Sequence, residues 1–173
     1  VDIQGYSRFL HMSFWQQYFD VSQEEVMKRV SASIKPVKPD FQQLTKNKPD
    51  LYGPFWILTT LIVWLSMTGN LARFFRHFEH AKFEFHLEYV RYAVSFIYGY
   101  GIVFSNIIWL TLYLFKSNTK PIDVMCLYGY SLSSFLGICL ICIIPSPVLH
   151  WLLAAYGTLN STALIISNLQ SEV

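Results

Sequence analysis

The sequence predicts an all-α fold, a multi-pass transmembrane helical bundle behind a short amphipathic N-terminal segment, and three observations carry that reading. Hydrophobic residues make up 53% of the chain and charged residues only 14%, where a water-facing domain carries about a quarter. No Asp, Glu, Lys or Arg occurs from Tyr92 to Phe115, nor from Val124 to Gln170, and lipid is the solvent that tolerates such runs. Four apolar stretches long enough to cross a bilayer follow one another, separated by short polar or proline-rich turns. A net charge of +2 is a near balance rather than a basic stripe, so no nucleic acid partner is expected. The opening stretch lacks the basic-then-apolar shape of a signal peptide, so insertion is expected to begin with an internal helix.

Residues 1–53 form a polar N-terminal segment, with seven Lys or Arg against six Asp or Glu. Phe14, Trp15, Tyr18 and Phe19 are spaced to share one helical face, which fits either a helix in the headgroup layer or a small cytosolic core. A second helix starts at Ser22, whose hydroxyl caps it while Glu25 closes a capping box, and Pro36 ends it. Val26, Val30 and Ile34 are its expected apolar face. The run from Pro36 to Pro49, with three prolines and three lysines, reads as an extended, solvated linker.

Residues 54–173 hold the expected membrane helices, at about 55–72, 92–115, 124–144 and 148–166. Pro54 suits a first helical turn, because its missing N–H would go unpaired there anyway. Phe55 to Ala72 is uncharged and spans about 27 Å, which suits a thin bilayer such as the endoplasmic reticulum or early Golgi. Arg73 to Arg91 reads as a charged loop forming a short surface helix. His77, His80 and His86 within it invite a metal site, but alternation with Phe, Glu and Arg is better explained by amphipathicity, and no metal is expected.

The second helix contains Gly99 and Gly101, and the third contains Gly129 and Gly137, small residues that permit close helix contacts. Pro145, Ser146 and Pro147 turn a tight hairpin into the fourth run. That run is the more polar, and Asn160, Ser161 and Thr162 are expected to face neighbouring helices; as a glycosylation sequon they would be out of reach. Cys126, Cys139 and Cys142 lie in one apolar run and read as small hydrophobes, with the CxxC of Cys139 and Cys142 carrying no redox or metal role. With a cytosolic N-terminus the inside segments carry nine Lys or Arg and the outside loops four, which the positive-inside rule favours.

DLYGPFW, Asp50 to Trp56, stands at the start of the first helix, and YGYS, Tyr128 to Ser131, lies within the third. Together they resemble the two signatures of the Yip-domain family, the YIPF proteins that interact with Ypt and Rab GTPases. FWQQYFDV, Phe14 to Val21, resembles the aromatic lead-in of one branch, and IIPSPVLHWLL, Ile143 to Leu153, is similar to its third hairpin turn. The resemblance implies a non-enzymatic Golgi or early secretory membrane protein with a cytosolic N-terminus, acting in vesicle-mediated transport or Golgi organisation.

The partners it implies are prenylated Rab or Ypt small GTPases and other Yip-family membrane proteins, in homo- or hetero-oligomers, with no cofactor. It marks Asp50, Leu51, Tyr52, Gly53, Pro54, Tyr128, Gly129, Tyr130 and Ser131 as motif residues. For Tyr52, Gly53 and Pro54 the residues fit an interfacial anchor and helix start as well as a binding surface, and for Tyr128 to Ser131 helix packing before contact. Family members have five membrane helices and a lumenal tail, whereas this chain stops at Val173 after the fourth run, as expected of a fragment or truncated product.

Two other classes compete. A transporter or channel subunit calls for an ionisable group or broken helix at the midplane. The expected spans carry no Asp, Glu, Lys or Arg, and Asn70, Asn106 and Asn160 are their candidate pore liners, more simply explained by helix–helix hydrogen bonds. A membrane enzyme needs a nucleophile with its base, paired carboxylates or a metal cluster near a helix end, and none converges in the sequence.

Overall fold

A computed structural model describes residues 12–34, 40–45, 48–76, 86–117, 119–144 and 146–169. Among these residues the chain is helical throughout, with no strand. Three short helices, α1 (Met12–Gln16), α2 (Gln23–Ile34) and α3 (Asp40–Thr45), precede the long ones. Then come α4 (Tyr52–Arg76), α5 (Leu87–Tyr98), a π-helical turn (Gly99–Phe104), α6 (Ser105–Leu114), α7 (Pro121–Ser131), α8 (Ser134–Ile141) and α9 (Pro147–Leu169). Among the described residues four segments have the length and apolarity to cross a membrane: Tyr52–Phe75, Leu87–Leu114, Pro121–Ile141 and Pro147–Leu169. The molecule is a multi-pass helical membrane protein.

The spans are longer than the apolar runs that signal them. The first, at 24 residues, covers about 36 Å, longer than the expected 55–72. Arg73 falls inside that span, and Glu88 and Arg91 fall inside the second, because a helix continues through charges that reach the headgroups by snorkelling. The expected surface helix between Arg73 and Arg91 is thereby taken up at both ends by α4 and α5. His77 and His80 lie outside the described residues. His86 immediately precedes α5, where its N–H donates to Asn70 Oδ1 at 2.7 Å.

The second span changes pitch in the middle. At Gly99–Phe104 the backbone makes a π-helical turn, which turns Gly101 toward α4, where a Cβ would lie 3.1 Å from Leu58 Cδ1. Ser105 Oγ donates to the carbonyls of Gly101 and Ile102 at 2.6 and 3.0 Å, satisfying backbone groups that such a bulge leaves without regular partners. The span ends at Lys116, held at φ 61°, with Ser117 N–H closing back on Leu112 C=O. Trp109 Nε1 then donates to Thr119 C=O at 3.2 Å, and Asp123 accepts the Lys120 N–H at 3.1 Å, which starts α7 behind Pro121.

The third span is two helices rather than one. At Leu132 and Ser133 the chain makes a tight turn, with Ser133 N–H to Tyr130 C=O and Leu136 N–H to Ser133 C=O at 3.0 and 3.1 Å. Packing overrides the continuous apolar pattern here: the turn lets consecutive serines reach different neighbours. In α9, Asn160 and Ser161 face inward as expected, while Thr162 is exposed. Asn106 bonds back along its own span, to Ile102 C=O in the π-helical turn. Gly157 admits Phe135 and Ile138 of α8, and Gly129 admits α4, but Gly137 faces open space and makes no close contact.

The N-terminal segment departs most from its pattern. Ser22 caps α2 through the Glu25 N–H at 3.3 Å, and α2 ends at Ile34. Its buried residues, however, are Arg29 and Ser33, with Val26 and Val30 at the flanks and Ile34 exposed. The expected linker contains α3, whose Phe41 is 2% exposed and belongs to the main core with Ile57, Leu61, Leu127 and Tyr130. The aromatic helix shrinks to one turn, α1, because the chain tightens after Gln16, with Tyr18 N–H on Trp15 C=O and Phe19 N–H on Gln16 C=O. Phe14 and Tyr18 stack edge-on, while Trp15 and Phe19 face outward.

Two glycines give opposite expectations. A methyl at Gly157 would stand 2.7 Å from Ile138 Cδ1 and 2.8 Å from Phe135 Cε1, so Gly157→Ala is expected to destabilise the bundle by about 1–3 kcal/mol. Gly137→Ala meets nothing within 4 Å and is expected to be neutral or stabilising; thermal unfolding of both variants in detergent checks the pair.

Candidate functional site

The polar centre of the molecule is Asp50, 0% exposed, one residue short of the turn that opens α4. Its Oδ2 accepts the Gly53 N–H at 2.8 Å, satisfying one of the donors that every helix start leaves unpaired, and its charge lies at the positive end of the α4 dipole. Its Oδ1 is paired with Arg29 Nη1, and Arg29 Nη2 donates to Lys48 C=O at 2.9 Å. The Tyr130 hydroxyl donates across both carboxylate oxygens at 3.1 and 3.2 Å, and the Cys126 thiol lies 3.7 Å from Oδ1. A charge pair held this far from water needs such additional bonds, since desolvation alone can outweigh the attraction.

The two sequence motifs meet here through a reciprocal exchange of space. A Cβ on Gly53 would overlap the Tyr130 hydroxyl, and a Cβ on Gly129 would stand 2.9 Å from Pro54 Cα and closer still to its ring. Each motif therefore supplies the glycine that admits the other motif's bulky residue. Gly53, Pro54, Gly129 and Tyr130 are all buried. Phe41 closes the top of the junction, edge-on to Tyr130 with centroids 5.4 Å apart.

The other motif residues sit around this junction. Leu51 donates its N–H to Tyr18 C=O at 3.0 Å, fixing the aromatic turn beside the first span. Tyr52 is half-buried and stacks edge-on against Trp56. Tyr128 faces the opposite side of α7, tilted against Tyr100 at 5.5 Å, in a separate small cluster with Leu112 and Val124. Ser131 bonds back to Tyr128 C=O at 2.7 Å, just before the break in the third span.

A second polar contact lies one turn further along α2. Ser33 Oγ is 2.7 Å from Ser133 Oγ, and Asn160 reaches from α9 to both Ser134 Oγ and Ser33 C=O. Among the described residues, every buried side-chain polar atom has a partner. Arg29, Ser33, Phe41 and Ser133 carry the site alongside the motifs without having stood out in the sequence, and Cys126, read there as a small hydrophobe, turns its thiol to Asp50. The spacing of Arg29 and Ser33, four residues apart on one helical face, is the signal that was available.

The arrangement gathers a carboxylate, a thiol, a hydroxyl and a guanidinium, but all four belong to residues at most 4% exposed and face one another. Among the described residues no cluster of His, Cys, Asp and Glu has metal-binding geometry. Such an arrangement locks elements together. The fold and site thus define a polytopic membrane protein whose signature residues form an internal junction.

The chain belongs to the Yip1 domain family, whose model matches residues 33–171. It is similar to Protein YIPF1 homolog of Dictyostelium discoideum, 31% identical over 161 residues, covering 93% of this chain and 46% of that protein. It is also similar to Protein YIP5 of Schizosaccharomyces pombe, 30% identical over 159 residues, 87% of this chain and 64% of that protein. The chain therefore spans about half of the first relative and under two thirds of the second. No solved structure matches.

Arg29→Met removes the cation and leaves Asp50 buried and unpaired, a change expected to cost about 3–5 kcal/mol. Arg29→Met combined with Asp50→Asn removes both charges and is expected to recover part of that loss. Denaturant or thermal melts of the single and double variants in detergent check the sign and the recovery.

Proposed function

We propose that this chain is a non-enzymatic adaptor of Golgi and early secretory membranes that binds Rab-type small GTPases and supports vesicle-mediated transport or Golgi organisation. Membership of the Yip1 domain family is the observation that carries the reading. In it, the N-terminal segment, residues 1–53, faces the cytosol and meets the GTPase or other Yip-family proteins, and the bundle anchors it. A prenyl group is a suitable guest for an apolar bundle, since each buried methylene contributes about 0.8 kcal/mol.

On this reading Asp50, Gly53, Pro54, Gly129 and Tyr130 act in assembly, and Leu51, Tyr52, Tyr128 and Ser131 support them. Their inward orientation favours that role over direct contact with a GTPase. Exposed groups close to the junction, Trp15 and Phe19, are then better placed to touch a partner.

Capture of prenylated Rab GTPases by the intact chain in detergent micelles tests this directly. Trp15→Ser with Phe19→Ser is expected to lower capture several-fold with the melting temperature unchanged, whereas Gly129→Leu is expected to lower both together. Undiminished capture by the aromatic variant, or a lumenal N-terminus in protease protection of a tagged chain, would count against the proposal.

A further inference from the structure

The seat of α2 against the spans fixes its depth. Asp50, the partner of Arg29, touches Cys126 and Tyr130, one turn apart on α7. One turn further along α2, Ser33 touches Ser133, which stands about 18 Å along the third span from Pro121 and about 12 Å from its other end at Ile141. Asn160, bonded to Ser33 C=O, stands about 13 Å inside the end of α9 at Leu169. Both spans are free of charge around these contacts, from Val124 to Gln170. The C-terminal end of α2 is therefore level with residues well inside two membrane-crossing helices, and α2 descends alongside α7 in the same direction.

The composition of α2 follows the same gradient. Its four charged residues, Glu24, Glu25, Lys28 and Arg29, fall in its first seven positions, and Val30 to Ile34 carries none. Arg29, the deepest of the four, is neutralised by Asp50. At its C-terminal end, two of the carbonyls that a helix terminus leaves unpaired are satisfied from within the protein. Ser33 Oγ donates to Val30 C=O at 2.8 Å, and Asn160 Nδ2 approaches Ser33 C=O at 3.4 Å. Internal satisfaction of this kind is what a hydrocarbon environment requires.

We propose that α2 is a half-inserted membrane helix, with its first turn among headgroups and Ser31 and Ile34 against lipid acyl chains. Ile34, 41% exposed, then needs no protein partner, because lipid covers it. The inference concerns how the helix is seated and holds whichever protein the chain binds.

The test uses the full chain in phosphatidylcholine vesicles, with Cys139→Ala and Cys142→Ala and one added cysteine at a time: Glu24→Cys, Ser31→Cys or Ile34→Cys. Each carries an environment-sensitive fluorophore, corrected for any labelling of the buried Cys126 in the protein with no added cysteine. Quenching by doxyl-labelled lipid is expected to rise from position 24 to 34, with iodide quenching several-fold weaker at 34 than at 24. Iodide quenching at position 34 equal to that at 24 would overturn the proposal. If the Ile34→Cys chain does not elute as a single folded species, Ser31→Cys decides: quenching by doxyl lipid supports insertion, and quenching by iodide alone refutes it.

Discussion

The structure depends on one carboxylate kept out of water at the foot of the first span. Asp50 starts α4 by capping it, ties α2 to the bundle through Arg29, and holds α7 through Tyr130. Each of these bonds is of ordinary strength, but the alternative for each partner is an unsatisfied group in a medium of low polarity, and that asymmetry makes the junction specific. Apolar contacts alone give little direction to helices in lipid, where a leucine gains nothing by leaving acyl chains for a neighbouring leucine. Register between α4 and α7 is set instead by polar pairing and by glycines that admit one particular neighbour.

Much of the architecture was legible in the chain. Four spans, the Pro54 start, the Ser22 cap and the inward-facing Asn160 and Ser161 follow from hydropathy, capping chemistry and the cost of polar atoms in lipid. The Ser133 turn was invisible, because an apolar run reads as one helix until a neighbour demands a kink. The apolar face expected of α2 failed for a related reason. Val26, Val30 and Ile34 have helical spacing, but the surface they meet offers a carboxylate and a serine, so Arg29 and Ser33 turn inward instead. Linker composition likewise concealed α3, where a single aromatic, Phe41, is enough to draw a proline-flanked stretch onto Tyr130.

The two motifs show what a signature encodes. DLYGP alone explains a capped helix start, and YGYS alone a small-and-aromatic helix surface. Only their juxtaposition explains why each contains a glycine, since the space vacated by one is filled by the other. Arg29 lies outside both motifs and outside the residues matched by the family model, yet it supplies the counter-charge on which Asp50 relies. A pairing twenty-one positions apart in sequence, between a surface-type residue and a turn residue, has no local pattern to betray it.

The order in which the ribosome delivers these groups adds a constraint of its own. Asp50 emerges after Arg29 but 80 positions ahead of Tyr130, so until the third span is made its carboxylate has the upstream Arg29 and the Gly53 N–H of its own helix start as partners. Of these two, the guanidinium is the one that neutralises the carboxylate's charge before the Tyr130 hydroxyl is made. A chain lacking Arg29 would be at risk while nascent, before any mature fold existed to be destabilised.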